Sequence, residues 1–442
     1  MSRPLHSVGI RHEDKSSWER RAPLTPDHVR VLVSEHGLDV AVQTSPTRVF
    51  DDAAYRAAGA RIVDNLDGIP VVLGVKEIPA EQLRPGVVYM YFAHVIKAQP
   101  YNMAMLRTLL EQGCSLMDYE RITDDEGRRL VFFGRHAGLA GMIDTLWTLG
   151  QRLRHEGVVT PFAQVKRAYE YADLAEAKAA IAALGQQLQT QPVPQALQPL
   201  VFGFTGYGNV SRGAQEVFDV LPHVEVTPRQ LHAGNLGGAN RAQQLIKVVF
   251  KEEHLVRPVD ASIRFALQDY YDNPERYVSD FAAYHDRLSV LVNCIYWDTP
   301  YPRLLTRADV QRLWQTPAPK LKVIGDISCD IEGSIEVTLK PSKVDHPAFV
   351  YRPEHDDVID GVEGQGPVIM AVDNLPCELP ADSSRSFGDA LTPFVGALAQ
   401  ADYAVAIADL DLPDPLWRAC IVHQGQLTPD YEYLQDALSS DA

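Results

Sequence analysis

Lys76-Glu77 and His94, with Lys97 three residues further on, stand at or just past the ends of two apolar runs, VVLGVKE (71–77) and VVYMYFAHV (87–95). Both runs have the length and composition of buried strands. The carboxyl ends of strands in an open α/β sheet are where ligands bind. A lysine and a histidine brought together there disfavour each other's charged form, which an acid–base pair working near neutral pH requires. The bland alternative is a lysine that caps a strand edge beside a hydrogen-bonded core histidine. Glu120 closes a further apolar run, CSLMDYE (114–120), either as a carboxylate for a substrate ammonium or simply as a strand-end acid. Arg20-Arg21 and Arg128-Arg129 are paired cations, which serve as a solvated face or as bidentate clamps for carboxylates.

A second constellation lies in LVFGFTGYGNVSRGAQEVFDVLP (200–222), an apolar strand, a glycine turn and an amphipathic helix. Gly206 and Gly208, with Asn209 and Val210 opening the helix, offer backbone N–H groups to a pyrophosphate at a helix N-terminus. The third glycine of that fingerprint is replaced by Ser211. Glu225, 19 residues after Gly206, has the spacing of a ribose-binding acid. Thr227 stands nearer the expected strand end, however, and Arg229 is suited to a 2′-phosphate, so NADP(H) is slightly favoured over NAD(H). Asp326, in GDISCDIEGS, reads as a strand-end group facing the cofactor crevice. Asp330 and Glu332 follow it, but no histidine or loop spacing makes a metal site of the three. The absence of GxSxG, HExxH and P-loop motifs removes support for hydrolase and kinase chemistry.

The elements that position these residues are legible. Residues 7–135 alternate strand and helix signals, with Thr25-Pro26 as N-cap and first turn of a helix and Gly37 just past its end. Such alternation predicts an α/β fold with a parallel sheet. A long helix is predicted from Ala137, an Ala-rich one over 172–189, strands at 200–205, 224–226, 288–297 and 320–328, and a helical tail from Phe387. The 442 residues are 46% apolar and 22% charged, an ordinary globular balance. Against 41 Lys and Arg stand 58 Asp and Glu, a net charge of −17, which argues against nucleic-acid and anionic-membrane partners. Five scattered cysteines without a CxxC pair point to a reducing compartment. No apolar run is long enough to span a bilayer, and the N-terminus has no apolar leader core, so a cytoplasmic protein is expected.

WERRAPLTP (18–26), LGVKE (73–77), FAHVIKAQ (92–99), LMDYERI (116–122), FGRHAGLAGMID (133–144) and FTGYGNVSRGAQ (204–215) occur in that order, followed by NPERY, VNCIYWDTPYPRLLTR, DISCDIEGSIE and DNLPCELP. Together they make the chain resemble the lysine–2-oxoglutarate reductase domain of the bifunctional aminoadipate-semialdehyde synthases. It is similar, more distantly, to the lysine-forming saccharopine dehydrogenases and then to alanine dehydrogenase and transhydrogenase. The resemblance implies two Rossmann-like domains with the cofactor cleft between them. Residues 1–136 and 380–442 would form a discontinuous catalytic domain, and residues 137–379 the dinucleotide-binding domain. It implies Lys76 and His94 as the acid–base pair, Arg21 and Arg129 as carboxylate-binding arginines, and Glu77 and Glu120 as the acids that set the charge of the pair. Lys97 joins them on the substrate side, and Gly206, Gly208 and Asp326 fall on the cofactor side. The implied reaction condenses L-lysine with 2-oxoglutarate and reduces the product to saccharopine, or runs in reverse. An alanine dehydrogenase-type activity and a non-catalytic NAD(P)-sensing module are the alternatives. In the bifunctional enzymes a saccharopine-oxidising domain follows, whereas this sequence stops at Ala442. The expectation is therefore a free-standing reductase with a separate saccharopine-oxidising partner, or an enzyme running in the lysine-forming direction.

Overall fold

The alternation of the N-terminal third folds into a sheet of short strands, buried in its centre and more exposed at edge strand β3. β1 (Ser7–Ile10), β2 (Asp39–Gln43), β3 (Arg61–Val63), β4 (Val71–Leu73), β5 (Val88–Tyr91) and β6 (Ser115–Asp118) are all parallel, in the order β6-β5-β4-β1-β2-β3. Helices α1 (Pro26–Ser34), α2 (Asp52–Ala57) and α3 (Pro100–Glu111) connect them. Thr25 caps α1 in a capping box with His28, and Pro26 supplies the first turn. The computed structural model describes residues 6–238 and 243–440; residues 1–5, part of the N-terminal stretch read for a leader, lie outside the described residues.

These strands belong to a unit formed by Met1–Phe133 and Pro380–Ala442. The tail contributes the predicted helix, α11 (Pro380–Gln400), but it is not helical throughout. β17 (Cys420–His423) and β18 (Gln426–Leu427) extend the sheet beyond β6 in antiparallel fashion. The tail supplies an edge strand because β6 presents an open row of backbone groups that something must pair.

The second unit is Gly134–Leu379. Its first helix, α4 (Gly134–His155), starts at Gly134, three residues before the predicted Ala137, and is followed by α5 (Leu174–Thr190). Then come β7 (Val201–Thr205), α6 (Asn209–Phe218), β8 (His223–Glu225), α7 (Pro228–His232), β9 (Leu245–Phe250) and α8 (Glu252–Leu255). β10 (Val256–Pro258) and β11 (Tyr277–Ser279) form a separate antiparallel ribbon around α9 (Leu267–Asp272). β12 (Val290–Asn293), α10 (Arg307–Trp314), β13 (Val323–Asp326), β14 (Ala348–Arg352), β15 (Asp357–Asp360) and β16 (Val368–Met370) complete it. The eight-stranded sheet runs β15-β14-β16-β13-β12-β7-β9-β8, parallel except for β14, which runs antiparallel to both of its neighbours. β9, which the sequence reading does not resolve, lies directly beside β7, and β8 is displaced to the edge.

Glycines set the closest approach in this unit. A Cβ on Gly138 of α4 would fall 1.9 Å from the Val210 carbonyl oxygen, and one on Gly213 of α6 would fall 2.0 Å from that of Arg135. The two helices therefore touch backbone to backbone, which fixes the start of α6 and the glycine turn before it. No described helix is long and apolar enough to cross a membrane.

Candidate active site

The site in the first unit is built at the carboxyl ends of β4 and β5. The strand expected over 71–77 ends at Leu73; Gly74 N–H still reaches the Met90 carbonyl at 3.0 Å, but the amides after it turn to a side chain. Glu13, just past β1, accepts Val75 N–H at 2.7 Å and Lys76 N–H at 3.0 Å. Its carboxyl is wholly buried, and burial pushes its pKa up to about 7 despite Arg11 and the two amides. Glu13 thereby fixes the turn from which Lys76 and Glu77 project. Burial, followed by the Arg21 guanidinium, lowers the Lys76 pKa, against the opposing pull of Glu19 and Glu77.

Glu77 joins Lys76 to the histidine. Its Oε1 accepts from His94 Nδ1 at 2.7 Å, and its Oε2 accepts from Lys15 Nζ at 2.7 Å. Burial alone would raise its pKa, but these two partners hold it down to about 2, so Glu77 is a carboxylate throughout the physiological range. The tautomer of His94 is thereby set, with Nδ1–H donating and Nε2 left for other chemistry. The His94 backbone has φ of 51°, a left-handed conformation rare for a residue with a Cβ. Asn102 holds it there by donating to the carbonyls of Ala93 (2.9 Å) and His94 (3.2 Å). Phe92 stacks against the imidazole, with centroids 6.1 Å apart. Lys97 stands exposed on the loop that follows.

The remaining residues expected on the substrate side are held by acids. Arg21 is 3% exposed and forms a bidentate pair with Glu19 (2.7 and 2.5 Å), its guanidinium lying 4.3 Å from the centroid of the Phe133 ring. Arg129 is exposed and reaches Glu120 Oε1 at 2.8 Å. Glu120 lies on the turn after β6, where Asp118 accepts its amide at 2.8 Å and that of Ala93 at 3.2 Å. Asp118 is fully buried, and burial with the nearby Glu120 charge pushes its pKa up. Asp118 thus ties the His94 loop to the turn that carries Glu120.

In the second unit, Gly206 has φ of +82°, and a Cβ there would lie 3.2 Å from Ile295 Cγ2. Nothing lies within 4 Å of a Cβ position on Gly208, the N-cap of α6, so the helix N-terminus with Asn209 and Val210 faces open space. Ser211 is fully buried beneath it, a small side chain where the fingerprint has glycine. A cavity of about 390 Å³ adjoins the turn, lined by Gly206, Tyr207, Gly208, Glu252, Tyr271 and Ile295 among others. A dinucleotide pyrophosphate fits this turn, with its charge at the α6 N-terminus.

Thr227 and Arg229 do not line this cavity. Thr227 spends its side chain capping α7 through Gln230 (3.2 Å), and Arg229 is exposed on that short helix beyond edge strand β8. Glu225 is 3.4 Å from Lys247 of β9. Asp326 is 1% exposed, with Thr338 donating to Oδ2 at 2.6 Å and Asn293 to Oδ1 at 2.8 Å. Burial raises its pKa to about 6. Thr205 donates to Asn293 Oδ1 at 2.8 Å, so Asp326 anchors a buried network across the ends of β7, β12 and β13. Sequence reasoning misses Glu13, whose only signal is its place just past a strand end.

Residues 9–140 match the family model described as the N-terminal domain of alanine dehydrogenase and PNT. Over 97% of its length the chain is 40% identical to the alpha-aminoadipic semialdehyde synthase of Arabidopsis thaliana, covering 41% of that protein. It is 37% identical over 98% of its length to the mitochondrial protein of that name from Bos taurus, covering 48% of it. The chain thus spans less than half the length of these relatives. A saccharopine dehydrogenase [NAD(+), L-lysine-forming] from Emericella nidulans is 27% identical over 88% of this chain and 91% of its own. Among solved structures, an L-alanine dehydrogenase superposes with a TM-score of 0.57 at 16% identity, covering 99% of this chain and all of its own. A transhydrogenase from Sinorhizobium meliloti gives 0.54 at 16% identity over 96% of this chain and all of its own. The chain is thus similar over nearly all its length to part of the alpha-aminoadipic semialdehyde synthases and, at lower identity, to a lysine-forming saccharopine dehydrogenase, on a fold shared with alanine dehydrogenase and transhydrogenase.

Proposed function

We propose that the protein joins the side-chain amine of L-lysine to the keto carbon of 2-oxoglutarate and reduces the product to saccharopine, a reversible reaction dependent on a nicotinamide dinucleotide. The observation that carries this reading is the Lys76–Glu77–His94 arrangement, in a chain aligned over nearly all its length with alpha-aminoadipic semialdehyde synthases. The lysine amine attacks only when neutral. Lys76, its own affinity for protons lowered by burial and by Arg21, is suited to exchange a proton with it. The amine nitrogen then bonds to the keto carbon, giving a carbinolamine. His94 Nε2, oriented by the Nδ1–H bond to Glu77, is suited to protonate the departing hydroxyl, so that water leaves and a protonated imine remains. A reduced nicotinamide dinucleotide held at the Gly206–Gly208 turn would supply the hydride that converts this imine to the secondary amine. Glu77 stays ionised throughout and balances the imidazolium. Arg129, exposed and held by Glu120, is the arginine placed to meet a substrate carboxylate, while the buried Arg21 acts mainly on the charge of Lys76.

The gly-turn domain serves a nicotinamide dinucleotide. The choice between NADP(H) and NAD(H) turns on Thr227, which caps α7, and on Arg229, exposed on the same helix beyond β8. A cytoplasmic setting is supported by five scattered cysteines without a CxxC pair, and cell fractionation tests it. The reading as a whole is tested by mass spectrometry of a reaction containing L-lysine, 2-oxoglutarate and the reduced dinucleotide. A product with the mass of saccharopine, carrying label from both substrates, is expected. Turnover of pyruvate with ammonia in its place would assign the alanine dehydrogenase-type activity instead.

A further inference from the structure

We propose that Asp144 and Glu378 share a single proton inside the second unit and form a latch that opens as the solution turns alkaline. Asp144 closes the FGRHAGLAGMID stretch and Glu378 stands in DNLPCELP, and the reaction proposed above uses neither. Asp144 projects from the middle of α4, while Glu378 ends a short 3-10 turn, Leu375–Glu378, that follows β16. The first is fully buried and the second 1% exposed. Asp144 Oδ1 accepts the Ala168 amide at 2.8 Å, from a further 3-10 turn, Ala168–Glu170. Asp144 Oδ2 and both oxygens of Glu378 close no well-formed hydrogen bond with a donor among the described residues. The two carboxyls instead face each other within hydrogen-bonding reach.

Two carboxylates in contact in the interior repel each other with little water to screen them, whereas one proton between them turns one group into a donor for the other. Burial and the neighbouring acid push Glu378 well above the carboxylate range, and burial raises Asp144 as well. The Tyr169 amide and the Arg167 guanidinium favour the charged form of Glu378, but they weigh less. Arg167 is already engaged: it reaches Glu170 at 3.2 Å and the Asp345 carbonyl at 2.7 Å, 4.8 Å from the Tyr169 ring centroid. Of the other elements packed on α4, β12, β16 and the 161–164 turn carry no ionisable side chain. β13 brings Asp326, held by Thr338 and Asn293, and α6 brings exposed Arg212 and Glu216, the latter paired with Arg135 and Lys178. Tyr169 and Cys377 stand on the two turns themselves, and Tyr171 follows the first. No cation among these groups is left to take the place of the proton. Carboxyls separated in water give up their protons well below neutrality, whereas the pair keeps one, so the latch weakens as pH rises. Loss of that proton leaves two carboxylates in contact, and the turns at 168–170 and 375–378 part from α4.

The test is amide hydrogen exchange of the full chain, read by mass spectrometry from about pH 6 to about pH 9.5 and corrected for the intrinsic rise in exchange with pH. Peptides spanning 165–171 and 374–379 are expected to lose protection by about tenfold or more across this range, while those of β7 and α6 keep theirs. Glu378→Gln sets a permanent amide donor against Asp144, so protection of the same peptides should then change by less than about threefold. Asp144→Asn, the reciprocal exchange, should behave alike. Wild-type protection that stays level, or that falls equally in β7 and α6, would overturn the proposal without recourse to any variant. A fall as steep in Glu378→Gln as in the wild type, or variants that lose protection at every pH as a merely structural role requires, would overturn it too.

Discussion

Burial and the Arg21 guanidinium act together on Lys76, while a single carboxylate, Glu77, is shared between Lys15 and His94. One residue is thus made easier to deprotonate, and its neighbour is oriented by an acid that never protonates near neutrality. Replacing Lys76 by Met should lower kcat about a hundredfold or more with KM changed only a few-fold, since it removes proton transfer and not substrate binding. Steady-state kinetics in both substrates checks this; a change confined to KM would assign Lys76 to binding. At this scale the sequence was informative wherever residue type and strand end coincided, as for Lys76, Glu77 and His94. It was uninformative about pairing. Nothing in the spacing of Arg21 shows that Glu19, two residues earlier, grips it in the core, or that Glu13 takes the Lys76 amide from the end of a different strand.

Elements were legible in proportion to how cleanly their apolar pattern ran. α1, with its Thr-Pro start, and the glycine-turn unit β7–α6 stood out. β9 did not, because Lys247 interrupts LIKVVF; that lysine is buried only because Asp219 and Glu225 neutralise it. With β9 between it and β7, Glu225 of edge strand β8 lies one strand further from the glycine turn than its place in sequence suggests. The tail strands β17 and β18 were hidden for a different reason: what defines them is the open edge of β6, far away in sequence. The junction of α4 and α6 yields a prediction of its own. Gly138→Ala places a methyl 1.9 Å from the Val210 carbonyl, backbone against backbone, with no side chain free to move aside. It should cost about 3 kcal/mol or more in chemical denaturation and displace the glycine turn, weakening dinucleotide binding as well. A loss below about 1 kcal/mol would mean that the helices separate easily.

Taken over the whole molecule, several buried carboxyls are pushed upward: Glu13 to about 7 from 4.5, Asp326 to about 6 from 3.8, and Asp118 and Asp144 in the same direction. Between the unfolded and folded values the native chain holds more protons than the unfolded one, so stability falls as pH rises through that window. Glu77 works in the opposite sense: its pKa, lowered to about 2, contributes stability above about 4.5 that is lost as the solution grows more acidic. Thermal denaturation should therefore show a higher Tm at about pH 5.5 than at about pH 8, with a decline below about pH 4. A Tm that rises steadily to pH 8 would show that these carboxyls are ionised in the fold. The catalytic claim is tested most directly by following oxidation of the reduced nicotinamide with L-lysine and 2-oxoglutarate added singly and then together. Oxidation that requires both, and that Lys76→Met abolishes, is the predicted result. Oxidation with 2-oxoglutarate and ammonia but without lysine, or none with both substrates while saccharopine also fails to reduce the oxidised cofactor, would contradict it.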